Sequence, residues 1–359
     1  MRIKKLKLKN FRNFSDETVT FTDGLNVLYG KNAQGKTNCA EAVYYLCTGT
    51  SPRCKRDKQL IRMGEEAAEL TGNFEGAYGN IEIYAKITES GREMRLNGNK
   101  ISRSADMIGN VLGVFFSPRE LRLIQDGPDE RRRFLNVSIS QLSKSYFVAL
   151  LRYNKILEQR NNLLKDRDIS VVYDTLPVWD AQLCRYAGTI AYKRAEYMSF
   201  LAPKAKEIHK TLTGREEFEI SLDKKYEGSE SELSDKIFKE LSRNYDRDIR
   251  LGFTASGPHR DDLDIFIDGK DAKNFASQGQ TRTAALSVKL AEVEVFKDIL
   301  KEPPVLILDD VMSELDLPRR KKLAQYTQGV QTILTCTHAE RALYGREVNK
   351  IKVENGRFS

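Results

Sequence analysis

Long apolar runs are missing from this chain, and none approaches the roughly 18 consecutive apolar residues that span a bilayer. Neither a transmembrane helix nor a membrane partner is therefore expected. The basic N-terminus has no apolar segment or small-residue cleavage site behind it, so a signal peptide is not expected either. Cysteine is scarce: Cys39, Cys47, Cys54, Cys184 and Cys336 are odd in number and include no C-x-x-C pair. That argues against zinc ligation and a disulfide framework, and fits a reducing cytoplasm. Zinc-finger and helix-turn-helix patterns are absent, so base-specific DNA reading is not expected. Internal repeats and low-complexity tracts are absent too. What is present is a chain of 359 residues, 40% hydrophobic, with room for a large core and two lobes. Its net charge of +8 is a moderate excess that suits a polyanionic partner.

Gly30, Lys31, Asn32, Ala33, Gln34, Gly35, Lys36 and Thr37 fit the Walker A pattern G-x-x-x-x-G-K-[ST]. Each part has a task on a nucleotide triphosphate. The glycines let backbone N–H groups wrap the phosphates, Lys36 reaches the β- and γ-phosphates, and the Thr37 hydroxyl binds Mg²⁺. Leu25, Val27 and Leu28 read as a strand before the loop, and Asn38 to Cys47 reads as a helix after it. Such a helix aims its positive N-terminal end at the phosphates. A Gly-Lys-Thr turn alone carries little; strand, loop and helix together read as a P-loop.

Far downstream, Pro304-Val305-Leu306-Ile307-Leu308 is an apolar, β-favouring run ending in Asp309-Asp310. This reads as a Walker B strand, with Asp309 holding Mg²⁺ and Asp310 orienting the attacking water. Ser277-Gln278-Gly279-Gln280 precedes an expected helix from Thr281 to Leu300 and resembles the ABC-type signature, in which Ser277, Gly279 and Gln280 would meet a γ-phosphate. Ser313-Glu314-Leu315-Asp316 stands where ABC ATPases keep their D-loop. Ile333 to Thr337 reads as a strand leading to His338, like a switch histidine that senses the γ-phosphate. GTPases lack this series, so ATP is favoured. The expected catalytic set is Lys36, Asp310 and His338.

Further stretches carry a family likeness. Leu6-Lys7-Leu8-Lys9-Asn10-Phe11-Arg12-Asn13-Phe14 is similar to the opening of RecF proteins and their SMC-like relatives. Glu41 to Leu46, Phe115-Phe116-Ser117-Pro118, Gly127-Pro128 with Arg131 to Leu135, and Ser256-Gly257-Pro258-His259-Arg260-Asp261-Asp262 resemble the RecF family in particular. The resemblance runs from residue 3 to the end, and the length suits a complete member. It implies an ATP-dependent DNA-binding protein of replication and recombinational repair, acting at single-stranded, duplex or gapped DNA. RecO and RecR would be partners, and the RecA recombinase would be loaded with its help. It also implies an ATP-dependent homodimer in which Ser277, Gly279 and Gln280 act in trans. Asn136 stands where the pattern leads one to expect an acid.

The expected fold class is α/β: an ABC-type P-loop ATPase head with an inserted helical lobe. Residues 1–115 and 250–359 would form the nucleotide-binding lobe and 116–249 the helical lobe, too short for a long coiled coil. Ile81, Ile83, Ala85 and Ile87 alternate with polar residues as in a strand, and Asn97-Gly98 marks a hairpin turn. Leu142, Tyr146, Ala149, Tyr153 and Leu157 recur at helical steps, and a second helix is expected from Asp180 to Leu212. Arg53, Lys55, Arg56 and Lys58 form the basic run expected to meet DNA phosphates, in a salt-sensitive and sequence-independent way. Arg131 to Arg133 and Arg319 to Lys322 are further basic runs. A transporter ATPase subunit is disfavoured by the late signature and the Asn-Phe-Arg-Asn opening. An ABC-headed nuclease is disfavoured because few residues follow His338, and a purely structural ATP-gated clamp stays open.

Overall fold

The computed structural model describes residues 1–166, 168–312, 315–339 and 348–359. They form two compact units: Met1–Leu121, Glu207–Glu216 and Ser277–Ser359 in the first, Arg122–Lys206 and Glu217–Ala276 in the second.

The first unit is organised by a six-stranded sheet in the order Arg357–Phe358, Val348–Glu354, Leu25–Tyr29, Thr332–Cys336, Val305–Asp309, Gly113–Phe116. All neighbours but the first pair run parallel. Every residue of Val305–Asp309 and of Thr332–Cys336 is buried. Such unbroken apolar strands are those of a parallel sheet covered on both faces. The P-loop helix Lys36–Thr48 and the helix Gln278–Leu300 are correspondingly buried around most of their circumference. Because Tyr29 pairs with Cys336 and Asp309 with Thr335, the C-terminal tips of three strands lie side by side. Ligands of open α/β sheets bind beyond such tips.

An antiparallel sheet in the same unit runs Phe14–Thr20, Arg2–Phe11, Ala67–Gly76, Gly79–Thr88, Gly91–Leu96, Asn99–Lys100. Arg2–Phe11 buries Ile3, then Leu6 and Leu8, and exposes Lys5, Lys7 and Lys9. The alternation changes phase because the pairing with Ala67–Gly76 slips between Ile3 and Lys5. Ile83, Ala85 and Ile87 are buried along the next strand, as their spacing requires. Asn97 and Gly98 both have positive φ, 48° and 80°, which closes the expected tight hairpin.

The second unit is mainly helical: Pro128–Leu142, Lys144–Leu163, Ile169–Thr213 as far as Lys206, Glu230–Arg243 and Tyr245–Leu251. The third helix starts well before Asp180 and contains Pro177, a residue that ordinarily ends a helical reading. A three-stranded antiparallel sheet joins Phe218–Leu222, Leu263–Ile267 and Lys270–Asp271. This moves the boundaries from those expected. Leu263–Ile267 falls in the 250–359 stretch expected in the nucleotide lobe, but it pairs with Phe218–Leu222, Ile265 facing Ile220, and the second unit runs to Ala276. Residues 116–121 and Glu207–Glu216 belong with the first unit.

Two buried arginines organise this second unit. Tyr146, Ala149, Tyr153 and Ile156 form the buried stripe of Lys144–Leu163, and Arg160 continues it. Arg160 is wholly buried; its Nε donates to Asp180 Oδ1 at 2.5 Å and its Nη1 to Asp248 Oδ2 and Thr254 Oγ1, both at 2.8 Å. Arg194 donates from Nη1 to Asp261 Oδ2 at 2.6 Å and from Nη2 to Asn136 Oδ1 at 2.9 Å. Asp262 receives Arg131 as a two-pronged pair. The paired acids Asp261-Asp262 thus each hold one arginine of the unit. His259 accepts from Tyr153 Oη at Nδ1, 2.6 Å away, and donates from Nε2 to Thr254 O at 3.0 Å. Burial, with Arg260, Lys224 and Arg132 nearby, holds its pKa down to about 4.

Removing Arg160 would strand two buried carboxylates, so Arg160→Ala should destabilise the second unit by about 3–5 kcal/mol. Trp179, the single tryptophan, lies in that unit and reports its unfolding by fluorescence in urea. An unchanged midpoint would refute the role given to Arg160. His259 gives a second expectation. Its folded pKa lies below the ordinary value of 6.5, so the unfolded chain binds the extra proton in between. Stability should fall as pH drops from about 6.5 to 4, by roughly 3 kcal/mol in this term. His259→Asn should flatten that part of the Trp179 stability profile.

Candidate nucleotide-binding site

The loop between Tyr29 and Lys36 takes its shape from glycine. Gly30 has φ 148°, and a Cβ there would lie 2.3 Å from Val353 O; Gly35 has φ 120°, and its Cβ would strike the Asn13 side chain at 2.8 Å. Ala33 also has positive φ, 64°. Gly35 caps the helix Lys36–Thr48 without any side-chain hydrogen bond, so its leading N–H groups remain for an anion. Lys36 Nζ folds over the loop and donates to Gly30 O and Lys31 O, both at 2.7 Å. Burial lowers its pKa, while Asp310, Cys336 and Asp309 act in the opposite sense.

Walker A and Walker B meet at one oxygen. Thr37 Oγ1 and Thr335 Oγ1 each donate to Asp309 Oδ1 at 2.7 Å. Burial raises the Asp309 pKa, against the two hydroxyl bonds that lower it. A buried carboxylate beside a hydroxyl is a hard-oxygen pair that suits Mg²⁺, which takes one or two protein oxygens and completes its shell with phosphate and water. Among the described residues no group of three or more His, Cys, Asp or Glu is placed to hold a metal ion. Asp310 has a positive φ, 54°, its N–H donating to Thr335 Oγ1 at 3.0 Å, and it is exposed.

A cavity of about 440 Å³ is lined by Asn32 to Asn38, Arg53, Asp310, Thr335 and Thr337. Arg53, expected at a DNA surface, belongs here instead. Its Nη1 donates to Asn38 Oδ1 at 2.7 Å and to Glu41 Oε2 at 3.2 Å. Lys55, Arg56 and Lys58 of the same run are exposed. His338 is exposed and does not line the cavity; Thr335 and Thr337 do. Ser277, Gly279 and Gln280 do not line it either. Ser277 caps its helix in a capping box with Gln280: its Oγ accepts from Gln280 N at 3.3 Å and its N donates to Gln280 Oε1 at 2.9 Å. Ser313 and Glu314 lie outside the described residues; Leu315 is buried, and Asp316 caps Leu317–Tyr326.

Sequence reasoning passed over several supports of the loop. Asn13 Nδ2 and Gly356 N both donate to Gln34 O, at 2.9 and 3.0 Å, and Asn355 N donates to Gln34 Oε1 at 2.6 Å. Glu41, fully buried, receives both prongs of Arg12 at 3.0 and 2.8 Å and Ser51 Oγ at 2.6 Å. The signal for Arg12 and Asn13 was their place in the Asn-Phe-Arg-Asn opening; the C-terminal turn gave none. Gly356 has φ 71°, and a Cβ there would meet Asn13 O at 2.4 Å. Gly356→Val should therefore displace the turn from Gln34 and weaken nucleotide binding by roughly tenfold, an amount expected for losing one or two hydrogen bonds. Fluorescent-nucleotide titration checks this, and wild-type affinity would contradict the bracing.

The family model for the RecF/RecN/SMC N-terminal domain matches residues 2–358. The DNA replication and repair protein RecF of Lachnoclostridium phytofermentans is 42% identical over 352 residues, covering 96% of this chain and 95% of its own. A solved structure of the recombination mediator protein RecF-ATPrS in the RecFOR pathway superposes with a TM-score of 0.91 at 33% identity, covering 100% of this chain and 97% of that one. The Smc head bound to the C-winged helix domain of ScpA shares the fold, with a TM-score of 0.59 at 17% identity over 100% of this chain and 96% of that one. With its P-loop, Walker B strand and head-type sheets in place, the chain belongs to the RecF family of DNA replication and repair proteins, built on an SMC-like ATPase head.

Proposed function

We propose that this chain is an ATP-dependent DNA-binding protein that dimerises on ATP, hydrolyses it slowly, and helps load the RecA recombinase at gapped DNA with RecR and RecO. The observation that carries the reading is the junction of Thr37, Asp309 and Thr335 beneath the phosphate loop. Lys36 would neutralise the β- and γ-phosphates, Thr37 and Asp309 would hold Mg²⁺, and Asp310 would orient water. Mg²⁺ supplies charge neutralisation at the phosphates. The solved relatives with ATP and ATPrS support the choice of nucleotide. DNA binding rests on phosphate contacts from basic surfaces, with Lys55, Arg56 and Lys58 the exposed candidates. Arg53 is better read as a nucleotide-pocket residue.

The make-up of the cavity lining supports dimerisation. Ser277, Gly279 and Gln280 are not among its lining residues, so a partner subunit's signature would complete each site across an isologous interface. ATP then favours the dimer by its differential affinity, and loss of the γ-phosphate releases it. His338 would sense that phosphate after ATP binds.

ATPase assays with and without single-stranded, duplex and gapped DNA test the reading; absence of nucleotide-dependent DNA binding would refute it. Lys36→Ala and Lys36→Arg should both abolish turnover, since the planar guanidinium cannot replace the compact ammonium. Asp310→Asn should retain ATP and slow hydrolysis by about two orders of magnitude or more, as removal of a proton-handling carboxylate does. Ser277→Arg should leave ATP binding by the monomer intact and block dimerisation. Sedimentation at saturating ATP and Mg²⁺ decides it: a monomeric wild type, or a dimeric Ser277→Arg, sinks the trans arrangement.

A further inference from the structure

Both ends of the Gln280 side chain are engaged, and they face different elements. Ser277 N donates to Gln280 Oε1 at 2.9 Å, and Gln280 Nε2 donates to Glu216 Oε1 at 3.3 Å. A backbone N–H can only donate, so the amide oxygen must face Ser277 and the nitrogen is left for an acceptor. Glu216, a carboxylate, supplies it. Glu216 ends Glu207–Glu216, the short return of the chain into the first unit, and shares that unit with the helix Gln278–Leu300.

This return is built against the helix at two levels. His209, wholly buried, meets Glu216 Oε2 through Nε2 and Ser287 Oγ through Nδ1, both at 3.2 Å. Ser287 and Gln280 are about two helical turns apart, so His209 and Glu216 together span the opening of the signature helix. Thr213 Oγ1 donates to His209 O at 2.9 Å and accepts from Glu216 N at 3.3 Å, and Gly214, with φ 88°, turns the chain between Thr213 and Glu216. Lys322 Nζ donates to Leu212 O at 3.3 Å, which ties the return to the helix Leu317–Tyr326 as well. The outer side of the signature is open: Ser277 is exposed, and a Cβ on Gly279 would meet nothing within 4 Å. Ser277 Oγ accepts from Gln280 N in its capping box, a bond that does not spend the hydroxyl proton.

We propose that Glu216 is a positioning residue for the signature: through Gln280 it holds Ser277 and Gly279 ready for the γ-phosphate of ATP on a partner subunit. Ordering this loop before the partner arrives removes a cost from dimerisation. The inference rests on the trans arrangement of the signature and adds the residue that sets its geometry. Neither Glu216 nor His209 lines the nucleotide cavity, so the effect falls on association and not on ATP capture.

The test follows dimerisation of the full chain by sedimentation at saturating ATP and Mg²⁺, for wild type, Glu216→Ala, Glu216→Asp and Glu216→Gln. Alanine removes the acceptor, and aspartate keeps the charge but withdraws it by one methylene. Both should raise the dimer dissociation constant roughly tenfold. Glutamine keeps an oxygen for Gln280 and can turn its amide N–H to a neutral His209 imidazole, so it should dimerise like wild type. A double-mutant cycle separates positioning from a general loss of structure: Glu216→Ala should add nothing to Gln280→Ala, because the first acts through the second. ATP turnover of Glu216→Ala should fall at low protein concentration and recover at high concentration. Fluorescent-ATP affinity of the dilute monomer should match wild type in every variant, and a loss there would overturn the assignment. Wild-type dimerisation in Glu216→Ala and Glu216→Asp, or additive losses in the cycle, would overturn the role of Glu216 and leave the trans arrangement standing. A wild type that stays monomeric would overturn both.

Discussion

Two threonine hydroxyls share one oxygen of Asp309, and the geometry of the nucleotide site follows from that junction. Thr37 sits at the start of the P-loop helix, Asp309 at the tip of one parallel strand and Thr335 on the strand between that tip and the P-loop strand. Walker A and Walker B are thus not neighbours in the sheet; the strand Thr332–Cys336 separates them and supplies a second hydroxyl to Asp309, while Thr37 makes the direct link. Burying a carboxylate is costly unless it is hydrogen-bonded or meets a cation. Two hydroxyls meet part of that demand, and the raised pKa of Asp309 shows that burial outweighs them. A cation beside Asp309 would meet the remaining demand.

The loop above that junction is held by both ends of the chain. The turn after Arg2–Phe11 brings Asn13 to Gln34 O, and the turn before Arg357–Phe358 brings Asn355 and Gly356 to the same residue. Phe14 and Phe358 stack at 5.0 Å between centroids, which couples the two turns directly. Backbone N–H groups must point at phosphate before it arrives if their binding is not to be spent on ordering the loop. Residues separated by nearly the whole sequence provide that order.

The sequence made the ligand-facing chemistry legible because that chemistry is local. A P-loop needs its glycines, lysine and threonine at fixed offsets, and a Walker B strand needs an apolar run ending in acid; both are visible without knowing any partner. The Asn97-Gly98 turn and the alternation of Ile83, Ala85 and Ile87 are local for the same reason. Pairing is not. The alternation of Leu263, Ile265 and Ile267 is visible in the sequence but does not name a neighbour, and that neighbour, Phe218–Leu222, belongs to the second unit. Arg53 looked like part of a basic surface run, but Glu41 and Asn38 draw it into the nucleotide cavity. The helix expected from Asp180 starts at Ile169 and runs through Pro177, a residue that ordinarily marks a helix end.

The motifs of the helical unit illustrate a further distinction. Arg131 and the pair Asp261-Asp262 carry family likeness as strongly as the P-loop does, yet their charges close on one another: Arg131 on Asp262, Arg194 on Asp261. Such closed pairs specify a packing arrangement rather than supply free charge, since any one partner removed leaves the other stranded. Arg133 and Asn136 differ in kind. Arg133 is half exposed and meets Glu130 at 3.7 Å, and Asn136 has its amide oxygen fixed by Tyr146 and Arg194. A basic run read as three equivalent arginines is in fact a buried anchor, a bridging residue bound to Asp261 O and Asp129, and a half-exposed donor. Helical spacing separates them, because adjacent residues on a helix point about 100° apart, so one run of like charges meets three different surroundings.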